Sequence, residues 1–217
     1  MSGLRLELAG EPTWLGCTGR PTLADRAYAY HQRFPECPNA VWVAGDKGQW
    51  LYGVWQIGQH YKNATRYYGA YPHSFLDRVA AIYPEIEPRD VLHVFSGSLP
   101  QAEYTRLDIN PACQPELVGS VYDIASLTRR RFHLVIADPP YSAADAEHYG
   151  TAGIDRGKAT RALADVVKPG GHLVWLDTAW PMYRKDLWAY YGAIEIRRST
   201  NHRIRGVSLF ERKGAIC

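Results

Sequence analysis

Cysteine is scarce in this chain and never closely spaced. Only Cys17, Cys37, Cys113 and Cys217 occur among 217 residues, and no two stand in a CxxC spacing. That scatter excludes a disulfide framework, and a reducing, cytoplasmic setting is expected. Cys17, His31 and Cys37 are an imaginable zinc set, but they match no recognised ligand spacing and no metal is expected. Long apolar runs are missing as well, so no membrane span is predicted. The opening Met1-Ser2-Gly3-Leu4-Arg5 lacks the apolar stretch of a secretory signal. Excess charge is small: 25 Lys and Arg against 22 Asp and Glu leave a net +3, so only the distribution of charge can speak for a polyanionic partner. What is present is a globular composition, 46% apolar, with enough chain for one domain and an appendage.

The first 39 residues show little periodicity, although 22–34 reads as a helix stopped by Pro35. Residues 40–56 sharpen into two β-prone runs around Gly45-Asp46-Lys47-Gly48, which predicts a hairpin. Its Trp42, Trp50 and Trp55 read first as packing groups, with contact to a nucleobase as the other reading. After Tyr67-Tyr68-Gly69-Ala70-Tyr71-Pro72 comes a helical pattern over 73–83, carried by Phe75, Leu76, Val79, Ala80 and Tyr83 and closed by Pro84 and Pro88.

The remaining two thirds alternates strands with acids. Val91-Leu92-His93-Val94-Phe95 reads as a buried strand running into Ser96-Gly97-Ser98, a small-residue turn that lets backbone N–H groups approach a ligand. Asp108 stands at the tip of the next predicted strand, where a carboxylate can accept from two ribose hydroxyls. Asp123 follows, able to accept an adenine amine, with Ile109 and Ile124 as apolar faces for the ring. Each acid alone reads first as a solvated strand end. A third buried strand, 132–137, stops at Asp138-Pro139-Pro140-Tyr141, and such a strand leaves these groups at the carboxyl edge of a sheet, where open α/β folds bind ligands. An exocyclic amine on a base is a poor nucleophile because its lone pair is delocalised. The Asp138 carboxylate can accept one amine hydrogen and the Pro139 carbonyl the other, while Tyr141 stacks on the base. The same four residues also suit an ordinary turn. Residues 142–154 read as a loop able to cover a target base. A helix then carries Ala159, Ala162, Leu163, Val166 and Val167 to Lys168-Pro169-Gly170-Gly171; a strand over 172–176 ends at Asp177. A helix is predicted over 181–191, then two strands over 193–198 and 207–211 joined by a basic loop, 199–206. With Arg197 and Arg198, that loop's Arg203 and Arg205 could hold phosphates; a solvated hairpin tip is the other reading.

The series of turn, acid, acid and Asp138-Pro139-Pro140-Tyr141 resembles class I S-adenosylmethionine-dependent amino-methyltransferases over about residues 67–213, in a compact form like those carried by phages and mobile elements. The resemblance implies an α/β, Rossmann-like fold: a mostly parallel seven-stranded sheet with an antiparallel last strand, preceded by an extension over 1–66. It implies S-adenosyl-L-methionine as cofactor, held by Tyr71, Phe95, Ser96, Gly97, Ser98, Asp108, Ile109, Asp123 and Ile124. Asp138, Pro139, Pro140 and Tyr141 would then be catalytic, and the partner a nucleic acid, foremost DNA methylated at adenine N6. RNA methylation at adenine N6 or guanine N2, and a non-catalytic binding protein of the same fold, are the alternatives. One departure stands out. The links after the first two core strands are too short for ordinary helical crossovers and carry Pro100, Pro111 and Pro115.

Overall fold

Thr22 opens helix α1 (Leu23–Arg33) with a capping box: the Asp25 amide donates to Thr22 Oγ1, and the Thr22 amide donates to Asp25 Oδ2. The helix ends at Phe34, where the following Pro35 disfavours helical backbone. The computed structural model describes residues 19–58, 71–142, 153–198 and 201–214, apart from the side chains of Arg198, Asn201, His202 and Arg203. Cys17, Tyr67-Tyr68-Gly69-Ala70, residues 143–152 of the expected cover loop, and Ser199-Thr200 lie outside them.

The predicted hairpin is β1 (Val41–Ala44) and β2 (Trp50–Ile57), antiparallel, with Gly45 and Gly48 at positive φ in its turn. Helix α2 (Phe75–Ile82) follows as expected. The core strands are β3 (Val91–Val94), β4 (Thr105–Asp108), β5 (Leu117–Val118), β6 (Phe132–Ala137), β7 (Val167–Asp177), β8 (Trp188–Arg198) and β9 (Asn201–Arg212), with α3 (Ile124–Leu127) and α4 (Arg156–Leu163) between them. The nine strands of the described residues form one sheet in the order β1-β2-β8-β9-β7-β6-β3-β4-β5. Strands β3 to β8 run parallel and β9 runs against its neighbours, so the expected seven strands are present. The hairpin lengthens that sheet, because β2 pairs in parallel with β8 from Leu51↔Gly192 to Ile57↔Arg198.

Three sequence expectations are corrected. Residues 181–191 contain no helix: β8 already begins at Trp188, because pairing with β9 buries Trp188 and Tyr191, and a register shift between Tyr190 and Gly192 lets both be covered. Lys168-Pro169-Gly170-Gly171 lies inside β7, where Gly170 takes a positive φ. The supposed basic loop is strand from Asn201 onward.

The two faces of the sheet bury separate cores. Helices α1 and α2 cover Trp55, Ile136, Val174 and Ile194 on one face, while α3 and α4 cover Leu92, Leu107, Phe132 and Trp175 on the other. Each such side chain contributes about 1.5–3 kcal/mol by leaving water. The short crossovers are real: no helix separates β3 from β4, and only a 3₁₀ turn, Pro111–Cys113, separates β4 from β5. Arg106, almost wholly buried, holds both links. Its guanidinium donates to the Leu99 and Gln114 carbonyls at 2.7 Å and pairs with Glu116 at 2.8 Å. One charged fork thus ties down backbone that a helix would otherwise satisfy.

At the carboxyl edge the sheet is uneven. Strand β7 pairs with β9 only as far as Asp177↔Gly206, whereas β8 and β9 continue to Arg198↔Asn201, with β2 beside them. Residues 201–205 of β9 therefore extend past the β7 tip, by about 17 Å at ~3.4 Å per residue.

Candidate active site

Strand pairing assembles the site. Val94 and Ala137 are register partners at the ends of β3 and β6, and the Asp138 amide donates to the Val94 carbonyl at 3.4 Å. The Phe95-Ser96-Gly97-Ser98 turn and the Asp138-Pro139-Pro140-Tyr141 run therefore start side by side. Asp138 is half-buried, and Tyr141 donates its hydroxyl to Asp138 Oδ1 at 2.5 Å. Burial pushes the Asp138 carboxyl up to about 7; the Tyr141 hydrogen bond and the Arg205 charge pull it back, and the Asp177 carboxylate adds to the rise. Pro139 is buried between these groups and Pro140 is half-buried.

The motif has a support that the sequence did not signal. Asp177, 1% exposed at the tip of β7, takes Arg156 Nε at 2.7 Å and Nη2 at 3.1 Å. It also accepts from Trp175 Nε1 and from the Thr178 and Ala179 amides. Arg156 Nη2, so oriented, donates to the Tyr141 carbonyl at 3.3 Å. Asp177 was legible as a strand-end acid, but nothing in the spacing marked Arg156, at the start of α4, as its partner.

On the cofactor side, Phe95 adopts φ 61° and Gly97 φ 50°. A left-handed phenylalanine is uncommon and strained, and here it begins the turn at the edge of the sheet. The turn is clamped from β4: Asp108 Oδ2 accepts the Gly97 amide at 2.7 Å, and Oδ1 accepts the Asn110 amide at 2.9 Å. Ser96 donates its amide to the Leu107 carbonyl, yet its hydroxyl is buried with no hydrogen-bond partner among the described residues. Tyr71 stacks on Phe75 at 5.5 Å, with its hydroxyl 3.4 Å from His93 Nδ1. Burial raises the Tyr71 phenol, and the Asp138 and Asp108 carboxylates raise it further, so it lies within the field of both. A cavity of about 430 Å³ opens between the turns flanking Asp108, lined by Ser98, Leu99, Arg106, Asn110 and Gln114.

Not every expected residue joins this group. Ile109 is 54% exposed and keeps an open apolar face. Asp123 is exposed in the 3₁₀ turn Val121–Asp123 rather than at a strand tip. Ile124 is fully buried among Leu107, Val121 and Leu163, so its side chain offers no face to an adenine ring. Of the three arginines, Arg205 is half-buried with its Cζ 4.6 Å from the Tyr141 ring centroid. Arg197 is exposed and paired with Glu195 at 2.5 Å, and the Arg203 side chain lies outside the described residues.

No protein-family model and no curated protein sequence matches the chain. Solved structures do. TrmN from Thermus thermophilus aligns with a TM-score of 0.50 at 14% identity, over 70% of this chain and 51% of TrmN, so the chain spans about half the length of that protein. The N-methyltransferase NodS from Bradyrhizobium japonicum WM9 aligns over 65% of this chain and 94% of its own at 13% identity and a TM-score of 0.45. An rRNA methylase from Streptococcus thermophilus aligns over 59% and 90%, at 8% identity and a TM-score of 0.39. At such identities the likeness is one of fold. The TrmN likeness stands beside a sheet in which β9 alone runs against the parallel β3 to β8: the chain has the Rossmann-like class I methyltransferase fold.

Proposed function

We propose that this protein transfers a methyl group from S-adenosyl-L-methionine to an exocyclic amine of a nucleobase, N6 of adenine in DNA. One observation carries the reading: Asp138, with Tyr141 closed onto it, stands beside the turn that Asp108 clamps. The residues present suit the cofactor. Each Asp108 oxygen takes one backbone N–H and keeps a lone pair for a ribose hydroxyl. The unpartnered Ser96 hydroxyl supplies a further polar group in the same turn, and exposed Ile109 suits a ring face.

Bound there, the cofactor supplies an electrophilic methyl on a sulfonium. Everything else falls to the chain. Asp138 Oδ1 is held by Tyr141, which leaves Oδ2 to accept one hydrogen of the target amine. The Pro139 carbonyl is the acceptor for the other, and the two together draw the nitrogen lone pair out of the ring and aim it. The Tyr141 ring supports the base by stacking, a contact of about 1–3 kcal/mol. A target inside a duplex must first leave the stack. The amine attacks before it loses its proton, so alignment is the main catalytic effect. With its carboxyl near neutrality, Asp138 is suited to take up the proton afterwards.

The test is direct. The protein is incubated with methyl-labelled cofactor and either DNA or RNA, the polymer is digested, and the labelled nucleoside is identified. N6-methyladenosine in its deoxy form is expected. Label in a ribonucleoside or in guanine would redirect the substrate assignment, and label in no nucleoside would overturn the reading.

A further inference from the structure

Resting on that reading of the base site, we propose that Arg205 is its gate: in the free protein the guanidinium occupies the Tyr141 face that the target base takes, and a phosphate of the incoming polynucleotide draws it away. The position follows from strand register. Gly206 pairs with Asp177, the last residue of β7, so Arg205 is the first residue of β9 beyond that tip. From there its guanidinium reaches the Tyr141 ring, with the Asp138 carboxylate close enough to feel its charge. Asp177, the other carboxylate nearby, is already engaged by Arg156 through two nitrogens.

A planar, N–H-bearing group on the Tyr141 ring and beside Asp138 repeats what an amino-purine would present there. Arg205 and the base therefore compete for one place. A ring face holds a guanidinium less firmly than a phosphate does, because phosphate offers a charge-matched, two-pronged acceptor. The segment that carries Arg205 is suited to meet one: β8 and β9 project past the edge of the sheet, with Arg197 exposed on β8 and Arg203 two residues from Arg205 on β9. A polynucleotide thus brings its own displacing group. A free nucleoside, lacking phosphate, does not, and the gate selects against it.

The experiment measures equilibrium binding, without turnover, of 2′-deoxyadenosine and of a mixed-sequence single-stranded oligodeoxynucleotide to wild type, Arg205→Ala and Arg205→Lys. Arg205→Ala is expected to bind the nucleoside more tightly, by about three- to thirty-fold, the range of one cation–aromatic contact, and to bind the oligonucleotide more weakly. Arg205→Lys, charged but not planar, should retain most of the oligonucleotide affinity. In a Tyr141→Ala background the nucleoside gain should vanish. Unchanged or weaker nucleoside binding in Arg205→Ala overturns the gate, as does unchanged oligonucleotide binding, and either result leaves the methyltransferase reading standing. A wild-type protein that binds no oligonucleotide overturns the nucleic-acid reading and the gate together. Thermal melting of each variant shows whether the fold is intact.

Discussion

Tyr141 donates its hydroxyl to Asp138 Oδ1, so the first and last residues of a four-residue run are closed on each other. The bond fixes which carboxylate oxygen remains free to accept from a donor and holds the ring beside it. Replacing Asp138 with alanine should therefore lower single-turnover methyl transfer by about a hundred- to a thousand-fold, the usual loss for a preorganised hydrogen-bonding group. Cofactor affinity should hardly change, since the cofactor is assigned to the β3 turn and Asp108. Asp138→Asn should be milder, because an amide oxygen still accepts one hydrogen. A transfer rate within about threefold of wild type in Asp138→Ala would remove this run from the catalytic role.

The same carboxylate gives two pH signatures. Its carboxyl is raised to about 7, and the ionised form accepts an amine hydrogen more strongly than the protonated one and alone can take up the departing proton, so kcat/KM should climb through that region as pH rises. For stability the sign is opposite. Between the ordinary value of 3.8 and about 7 the folded protein holds a proton that the unfolded chain has released, so stability contributed by this group falls as pH rises. Asp138→Asn should gain stability relative to wild type across that window and level off above it. Urea unfolding at pH 5 and pH 8 measures the difference; an advantage independent of pH would refute the assignment.

Asp108 serves two turns and, in the proposed complex, two ribose hydroxyls. Asp108→Ala should weaken cofactor binding by at least one charge-assisted hydrogen bond, about 1.5–3 kcal/mol, and should loosen the Gly97 turn as well. Calorimetric titration with S-adenosyl-L-homocysteine checks it, and an unaltered dissociation constant would reduce Asp108 to a structural clamp.

Arg156→Ala strands the Asp177 carboxylate, which is 1% exposed. Breaking a buried pair from one side costs about 3–5 kcal/mol, and the low end is expected because Arg156 itself is partly open to water. Arg156→Lys keeps the charge but loses the fork that reaches both Asp177 and the Tyr141 carbonyl. It should fold nearly as stably yet transfer methyl more slowly. Chemical denaturation beside single-turnover rates separates the two effects.

Gly192 lies against the Leu51 carbonyl where β2 joins β8, and a Cβ there would run into that oxygen. Gly192→Ala should prise the hairpin from the sheet and destabilise the protein by about 1–3 kcal/mol, as overpacking does. Faster amide exchange in β2 than in β6 would locate the damage, and an unaltered melting temperature would argue that the junction yields.

Strands β3, β6 and β7, helices α1 and α2, and the hairpin were legible because apolar period, caps and turn residues are local properties of the chain. The order of turn, Asp108 and Asp138-Pro139-Pro140-Tyr141 was legible for the same reason, each group ending a recognisable strand. The supposed helix over 181–191 failed because a tryptophan- and tyrosine-rich run can satisfy either period; its partner β9 decides, and that partner is invisible locally. Asp123 reads as a strand-end acid, but the strand before it is β5 at Leu117–Val118, whose two residues leave almost no periodic trace, and Asp123 falls in the turn that follows.

By itself, then, the sequence determined which segments are strands around the site and which chemical groups end them, because both depend on neighbours within a few residues. Tertiary structure alone decided that β2 joins β8, that Ile124 turns into the core, that Arg156 finds Asp177 and that Arg205 covers Tyr141. Each of these depends on strand register and on contacts made far along the chain, where a shift of one residue sends a side chain to the opposite face of the sheet.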